Sequence, residues 1–228
     1  SFPTRRSSDL YLYGYMATMT GAEIEVSNDR YFRTSELLCC LTDTPRTNLN
    51  YYYPKISRPY RYVRFTPPPP AYPTADCRAE IAELAFFDSV DSEEHLPSKA
   101  IYGGGPVDEN PAHDIDKACD DDWLTFYYSS GPRDSIVLDL QRASTIKKIL
   151  FVPRNDDNFI TPGNVYELFY QSGVKGWISL GVQTATTNEL VYRNIPEGAL
   201  LWLRNLTRGK EEQVFYVEDG EQKFVGYE

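Results

Sequence analysis

Three oxygen-bearing side chains in one short segment could bind a metal ion. Asp120, Asp122 and Thr125 follow one another closely in the sequence. A hard cation such as Ca²⁺ takes about six to eight oxygen ligands from carboxylates, hydroxyls and backbone carbonyls. The same residue types also favour an Asx-type turn, in which the carboxylates accept hydrogen bonds from their own backbone. The segment therefore has two interpretations, a calcium site and a self-capped turn.

A second polar segment has the composition of a sugar-binding loop. Planar polar groups can fork onto neighbouring hydroxyls of a neutral sugar while an aromatic ring packs on its apolar side. Arg154 and Asn158 would supply the first interaction and Phe159 the second. The alternative is that Arg154 pairs with the aspartates beside it and only holds the loop. The candidate ligand-binding residues are Arg154, Asn155, Asn158 and Phe159.

The charge balance limits the classes of partner. The 228 residues include 23 Lys and Arg against 33 Asp and Glu, for a formal charge of -10. Because the basic residues do not cluster, this acidic chain should repel a phosphate backbone, and we predict no nucleic-acid partner. No segment approaches the roughly 20 apolar residues of a membrane helix, so we predict no membrane span.

Familiar catalytic motifs are missing from the sequence. It contains no H-E-x-x-H, G-x-S-x-G, P-loop or G-x-G-x-x-G pattern, and we therefore expect no enzymatic activity. The enzyme alternative is a glycoside hydrolase that uses two of the many carboxylates. Such a pair would have to lie about 5–9 Å apart in a cleft, which sequence does not show.

Short alternating segments separated by turn residues predict strands. Helical periodicity is scarce, and aromatic and β-branched residues suit a pleated surface. Asp219-Gly220 predicts a tight turn in a hairpin from Gln213 to Phe224. Together these features predict an all-β fold, an antiparallel β-sandwich. The remaining predicted strands are Glu23–Val26, Tyr60–Phe65, Glu80–Phe87, Ser135–Leu140, Thr145–Val152, Val165–Tyr170, Trp177–Leu180, Glu189–Arg193 and Ala199–Leu206.

The organisation of the chain is predicted from its composition. Residues 1–10 correspond to the translation of a common sequencing adapter, and we expect them to be an assembly artefact. Residues 91–98 are polar and non-periodic, so we place a linker there. This divides the remainder into a unit at 11–90 and a unit at 99–228, the second of which is long enough for a self-sufficient domain.

Several segments together resemble the discoidin-like family, the coagulation-factor type C or galactose-binding-like jelly roll. The resemblance covers nearly all of residues 11–228. It implies a pair of modules, of which the first lacks its N-terminal half and the second is nearly complete. The segments that carry it are Gly21–Asp29, Tyr60–Phe65, a loop that ends at Cys77, Ile81–Phe87, Lys117–Thr125, Ser135–Leu140, Ile149–Asn158 and Tyr166–Tyr170.

The resemblance implies a function and a metal site. It implies a non-catalytic carbohydrate-binding or adhesion module, at the C-terminal end of a larger secreted or surface protein of Bacteroides-like bacteria. The partner would be a glycan or surface polysaccharide, met outside the cell or at its surface. A structural Ca²⁺ would be held by the Lys117 carbonyl, Asp120, Asp122, Thr125 and Glu212, although Asp121 replaces the usual Gly. The alternative is a structural spacer that positions an upstream transglutaminase-like or glycoside hydrolase domain.

Overall fold

The structure is a computed structural model, and it divides the chain into two compact units. The described residues are 19–43, 49–69, 77–155, 157, 159–187, 189–211, 214–219 and 221–225. We call residues 19–155 the N-terminal unit and residues 157–225 the C-terminal unit. The adapter-like segment 1–10, Asn158 and Glu212 lie outside the described residues.

The N-terminal unit is a sandwich of two antiparallel sheets. A five-stranded sheet has the order β2-β1-β4-β8-β6, and a four-stranded sheet has the order β3-β9-β5-β7. Two short 3₁₀ helices, Pro111–His113 and Ile115–Ala118, precede β7. The strands are β1 (Glu23–Ser27), β2 (Glu36–Cys40), β3 (Asn50–Tyr52), β4 (Tyr60–Thr66), β5 (Glu80–Phe87), β6 (Lys99–Tyr102), β7 (Tyr127–Tyr128), β8 (Ile136–Ser144) and β9 (Lys148–Pro153).

Alternating side chains of both sheets form the core of this unit. Ile24, Val63 and Phe65 point from the five-stranded sheet, and Phe86 and Phe151 from the four-stranded sheet, into one buried cluster. The rings of Phe65 and Phe151 stack across the sandwich with centroids 5.7 Å apart. Because successive side chains of a strand face opposite sides, this core leaves Arg64 on the outer face of β4.

The C-terminal unit is built on one six-stranded antiparallel sheet with the path β11-β10-β12-β14-β15, beside which β13 pairs with β12. Tyr166, Leu168, Leu203 and Phe215 lie in its buried cluster. A 3₁₀ helix, Gly173–Lys175, connects its first two strands. The strands are β10 (Val165–Gln171), β11 (Trp177–Thr184), β12 (Leu201–Asn205), β13 (Lys210–Glu211), β14 (Phe215–Glu218) and β15 (Glu221–Phe224).

The all-β prediction is confirmed, because the regular secondary structure of the described residues is nearly all strand, in three antiparallel sheets. The predicted hairpin is also confirmed by the pairing of β14 with β15 around Asp219, whose φ is 53°. One predicted strand is wrong. Residues 189–193 form no strand, although Leu190 and Tyr192 are buried in the C-terminal core. The alternation of polar and apolar residues there reflects the burial of Leu190 and Tyr192 in the core, and no neighbouring strand of the described chain pairs with this segment.

The division of the chain differs from the predicted linker at 91–98. β4 pairs with β8, and β5 pairs with β9, so segments on both sides of that linker share the same two sheets. Leu96 is buried in the shared core and its N–H donates to the Phe86 carbonyl at 2.6 Å. The strands expected to form an incomplete first module are thus completed by β6 to β9, and the division falls near residues 156–157. Pairing between distant strands leaves no mark on local composition, which is why the polar segment resembled a boundary.

Candidate functional site

The acidic loop forms a self-capped turn. The Asp120 carboxylate accepts hydrogen bonds from the Asp122 N–H at 3.2 Å and from the Thr125 hydroxyl at 3.0 Å. The Asp122 carboxylate accepts from the Leu124 N–H at 3.0 Å. Each carboxylate therefore satisfies backbone or hydroxyl donors of its own loop, which is the Asx-type arrangement.

Lys117 and Asp121 complete this loop. The Lys117 ammonium lies 3.2 Å from Asp120 Oδ2 and 3.1 Å from the Asp116 carboxylate. Asp121 has a φ of 61°, the left-handed conformation that favours Gly. Its N–H donates to Glu83 at 2.9 Å, and its carboxylate pairs with His95 at 2.9 Å. These two contacts hold the strained residue in place.

Glu83 is a buried titratable residue that sequence reasoning missed. It lies on β5 and is only 2 % exposed. Burial, together with the nearby charges of Asp121 and Asp120, raises the pKa of Glu83 to about 8. The carboxyl is therefore largely protonated at neutral pH. A glutamate in the middle of the apolar run Glu80–Phe87 was the available signal.

The described loop residues match the turn more closely than a metal site. The Lys117 ammonium, itself a cation, lies 3.2 Å from Asp120 Oδ2. Among the described residues, no three His, Cys, Asp or Glu side chains are grouped so that they could hold a metal ion. Calcium binding stays a prediction, and Asp120, Asp122 and Thr125 are the described side chains that would contribute oxygen ligands to it.

Asp122→Asn separates the two interpretations of the loop. The amide oxygen can still accept a hydrogen bond from the Leu124 N–H. Without calcium, the free energy of unfolding of the variant should therefore lie within about 0.5 kcal/mol of that of the wild type. If the loop binds Ca²⁺, millimolar calcium should raise the melting temperature of the wild type and raise that of the variant much less, because a ligand of the folded state stabilises it. Calorimetry with and without a chelator measures both. If calcium does not change the melting temperature of the wild type, the loop is a self-capped turn and not a calcium site.

Arg154 and Asn155 are tied into the fold of the N-terminal unit. Arg154 lies 3.6 Å from the Glu80 carboxylate and stacks on the ring of Phe126, 4.4 Å from its centroid. Asn155 is 4 % exposed, and its amide donates to the Trp123 carbonyl at 2.8 Å. Phe159 is half-buried in the C-terminal unit. The contacts of Arg154 and Asn155 are those of residues that anchor a loop.

A groove on the outer face of the five-stranded sheet was not found from sequence. It measures about 680 Å³. Its floor is a cross-strand row, in which Arg64 of β4 pairs with Val137 of β8 and Val137 pairs with Tyr102 of β6. Residues from two loops, Arg30 to Phe32 and Arg133 to Ser135, form its sides. Tyr31 and Tyr102 are 77 % and 67 % exposed, which is unusual for aromatic side chains of this size.

The first loop of the groove is rigidly held by Asp29. Its carboxylate accepts from the Tyr31 N–H at 3.1 Å and from the Arg33 guanidinium at 2.7 Å. The hydrogen bond from Arg33 lowers the pKa of Asp29 to about 2. Phe32 adopts a φ of 50° in this turn, and Arg64 stacks on its ring at 4.5 Å from the centroid. The backbone that carries Arg30 and Tyr31 is thereby fixed before any ligand binds.

The second loop of the groove is folded around Asp134. Its carboxylate accepts from the Gly131 N–H at 2.7 Å. A Cβ on Gly104 would lie 2.3 Å from Asp134 Oδ2, so this close approach requires Gly there. Arg133 has a φ of 60°, and its N–H donates to the Cys77 carbonyl at 3.0 Å. The Asp134 carboxylate is thus hydrogen-bonded within its own turn.

The arginines of the groove differ in their pairing. Arg64 is paired with Glu25 on the neighbouring strand at 2.6 Å. Arg30 and Arg133 are exposed, and neither lies within 4.0 Å of a carboxylate oxygen in the described part of the chain. The groove therefore presents two guanidinium groups that form no ion pair within 4.0 Å among the described residues, although Arg30 also interacts with Asp139 at longer range.

The C-terminal unit carries a row of aromatic side chains on its sheet. Trp202 lies 5.5 Å from Phe169 and 5.6 Å from Trp177, measured between ring centroids, and Arg204 stacks on Trp202 at 5.3 Å. All three rings are half-buried. Cross-strand packing accounts for this row, since paired aromatics on one face stabilise a sheet.

No protein family, curated protein or solved structure matches the chain. The discoidin-like resemblance therefore rests on the sequence segments that carry it. None of the helices among the described residues has the length and apolar character needed to cross a membrane.

Proposed function

We propose that the protein is a non-catalytic carbohydrate-binding or adhesion module and that the groove beside Tyr31 and Tyr102 is its ligand site. The observation that supports this most is the exposure of these two tyrosines at a preformed groove lined by arginines. The volume of about 680 Å³ lies in the range typical of small-molecule sites.

The side chains of the groove suit the chemistry of a sugar ring. A tyrosine offers a rigid apolar face and a hydroxyl at little conformational cost, so it can pack against the C–H face of a sugar. Guanidinium groups donate paired hydrogen bonds that can fork onto adjacent oxygens. Because Asp29 and Asp134 fix both loops, little ordering is needed when the ligand binds.

This proposal agrees with the discoidin-like resemblance, which also implies a location outside the cell or at its surface. The ligand site differs from the loop of Arg154, Asn155, Asn158 and Phe159 expected from that resemblance. Arg154 and Asn155 are engaged in holding their own loop. The spacer hypothesis remains the competing function, and it predicts that no glycan binds.

Replacing either tyrosine by Ala should weaken glycan binding about tenfold without changing the melting temperature. Each ring contributes roughly 1–2 kcal/mol to a packed ligand, whereas an exposed side chain contributes little to folding. A glycan array first identifies a ligand, and calorimetric titration of Tyr31→Ala and Tyr102→Ala then measures the loss of affinity.

Tyr53→Ala is the matched control for these variants. Tyr53 is 57 % exposed and does not line the groove, so its replacement should leave affinity unchanged. Equal losses in all three variants would place the site elsewhere. If the wild type binds no glycan on a broad array, the result would favour the hypothesis that the protein is a structural spacer.

A further inference from the structure

We propose that the groove selects an acidic glycan, whose carboxylate or sulfate groups are bound by Arg30 and Arg133. This inference rests on the proposed function and adds to it the chemical class of the ligand. The two arginines stand on opposite loops of one groove, and Tyr31 and Tyr102 lie beside them.

The charge distribution of the groove carries this inference. Three arginines and one aspartate, Asp134, line it. Glu25 pairs with Arg64. Arg30 and Arg133 form no ion pair within 4.0 Å among the described residues, and Arg30 interacts with Asp139 only at longer range. A guanidinium group matches the planar oxygens of a carboxylate or sulfate with two parallel hydrogen bonds, and it does so better than an ammonium. A neutral sugar would use the hydrogen-bond donors of Arg30 and Arg133 but not their positive charges.

The backbone at Arg133 supports a role for its side chain. A φ of 60° is adopted readily by Gly and by Asn, but it is uncommon for a long side chain. The hydrogen bond from the Arg133 N–H to Cys77 holds this conformation. Backbone strain of this kind is concentrated at binding sites, where the surrounding structure maintains it.

The rest of the protein argues against a nucleic acid as the occupant. A formal charge of -10 repels a long phosphate backbone, and the groove arginines are a local exception. Asp134 also borders the groove, which suits separate anionic groups spaced along a sugar chain better than a continuous line of phosphates. The exposed tyrosines then contact the sugar rings between those groups.

Two matched pairs of polymers test the inference with the full chain. Polygalacturonate is compared with its fully methyl-esterified form, and dextran sulfate with dextran. We expect the charged member of at least one pair to bind at least tenfold more tightly than its neutral partner. The pair that shows the difference distinguishes a carboxylate from a sulfate as the recognised group. Titration at two salt concentrations should show weaker binding of the charged polymer at higher salt.

Arg30→Gln and Arg133→Gln should each reduce the affinity for the charged polymer about tenfold and leave binding of the neutral polymer unchanged. Arg142→Gln removes the same charge from an exposed position outside the groove and should have little effect. Arg133→Gly is a second variant at the strained position. Glycine accepts this φ, so the variant should keep the melting temperature of the wild type while losing affinity.

The outcomes separate this inference from the proposed function. Equal binding of charged and neutral polymers, with no effect of the arginine variants, would overturn the acidic ligand and leave a neutral-glycan module. Binding of neither polymer pair, nor of any glycan on the array, would overturn both. Tighter binding of single-stranded DNA than of either charged polymer would overturn the glycan in favour of a nucleic acid.

Discussion

Replacing Glu83 by Gln is expected to raise the free energy of unfolding of the N-terminal unit by about 3–5 kcal/mol at pH 8, and to change it little at pH 4. Burial raises the pKa of Glu83 from 4.5 to about 8. A glutamine resembles the protonated acid, and its amide oxygen can still accept the hydrogen bond from the Asp121 N–H. The variant therefore keeps the contact and does not ionise.

The direction of the pH dependence follows from the raised pKa. Because the folded protein binds this proton more tightly than the unfolded chain, the stabilisation is complete below about pH 4.5, the ordinary pKa. It is lost progressively as the pH rises to about 8, where the folded protein also releases the proton. The free energy of unfolding of the wild type should thus fall over this range. That of Glu83→Gln should lack this fall, because glutamine does not ionise.

Denaturant unfolding of both proteins between pH 4 and pH 9 measures the effect. Glu93→Gln, at an exposed position, is the control for removal of one carboxylate and should leave the pH dependence nearly unchanged. If the difference in stability between the wild type and Glu83→Gln stays constant over the whole range, Glu83 is not the titrating group.

Phe151→Ala is expected to destabilise the N-terminal unit by about 3–5 kcal/mol, because it removes a fully buried ring and leaves a cavity. Phe151 of β9 stacks on Phe65 of β4, with the rings inclined by 16°. The two residues come from opposite sides of the segment 91–98, so their contact exists only if both sides share one sandwich.

A double-mutant cycle tests that shared sandwich. Phe65→Leu and Phe151→Leu should show a coupling of about 0.5–1.5 kcal/mol in urea unfolding, as expected for a packed aromatic pair. Phe65→Leu and Phe87→Leu should be nearly additive, since Phe87 belongs to the separate cluster that includes Leu150. Zero coupling between Phe65 and Phe151, together with two unfolding transitions, would instead support independent modules on either side of 91–98.

Most of the strands were predictable from the sequence because strands depend on short-range patterns, whereas β2, β6, β7 and β13 were not predicted. Strict alternation marked β1 and β4, and the bounds predicted for β5 agree with the structure. Asp219 predicted the turn of the last hairpin, because a tight hairpin turn needs a residue that tolerates a positive φ. The self-capped turn of the acidic loop was one of the two interpretations that the sequence left open, since Asx turns are formed by neighbouring residues.

The candidate site was not predictable, because its residues meet only through long-range pairing. Arg30, Arg64, Tyr102 and Arg133 come from four separate segments, and the register of β4, β8 and β6 brings them to one face. Arg154 looked like a ligand residue until its contacts with Glu80 and Phe126 were known.

Sequence by itself determined that this protein is an antiparallel β protein and where most of its strands run, since these features follow from side-chain alternation. Only the tertiary structure decided which strands pair across residues 91–98, that Glu83 is buried with a raised pKa, and that three arginines and two tyrosines line one groove. Those outcomes depend on burial and on contacts between distant segments, which the energies of short segments do not specify.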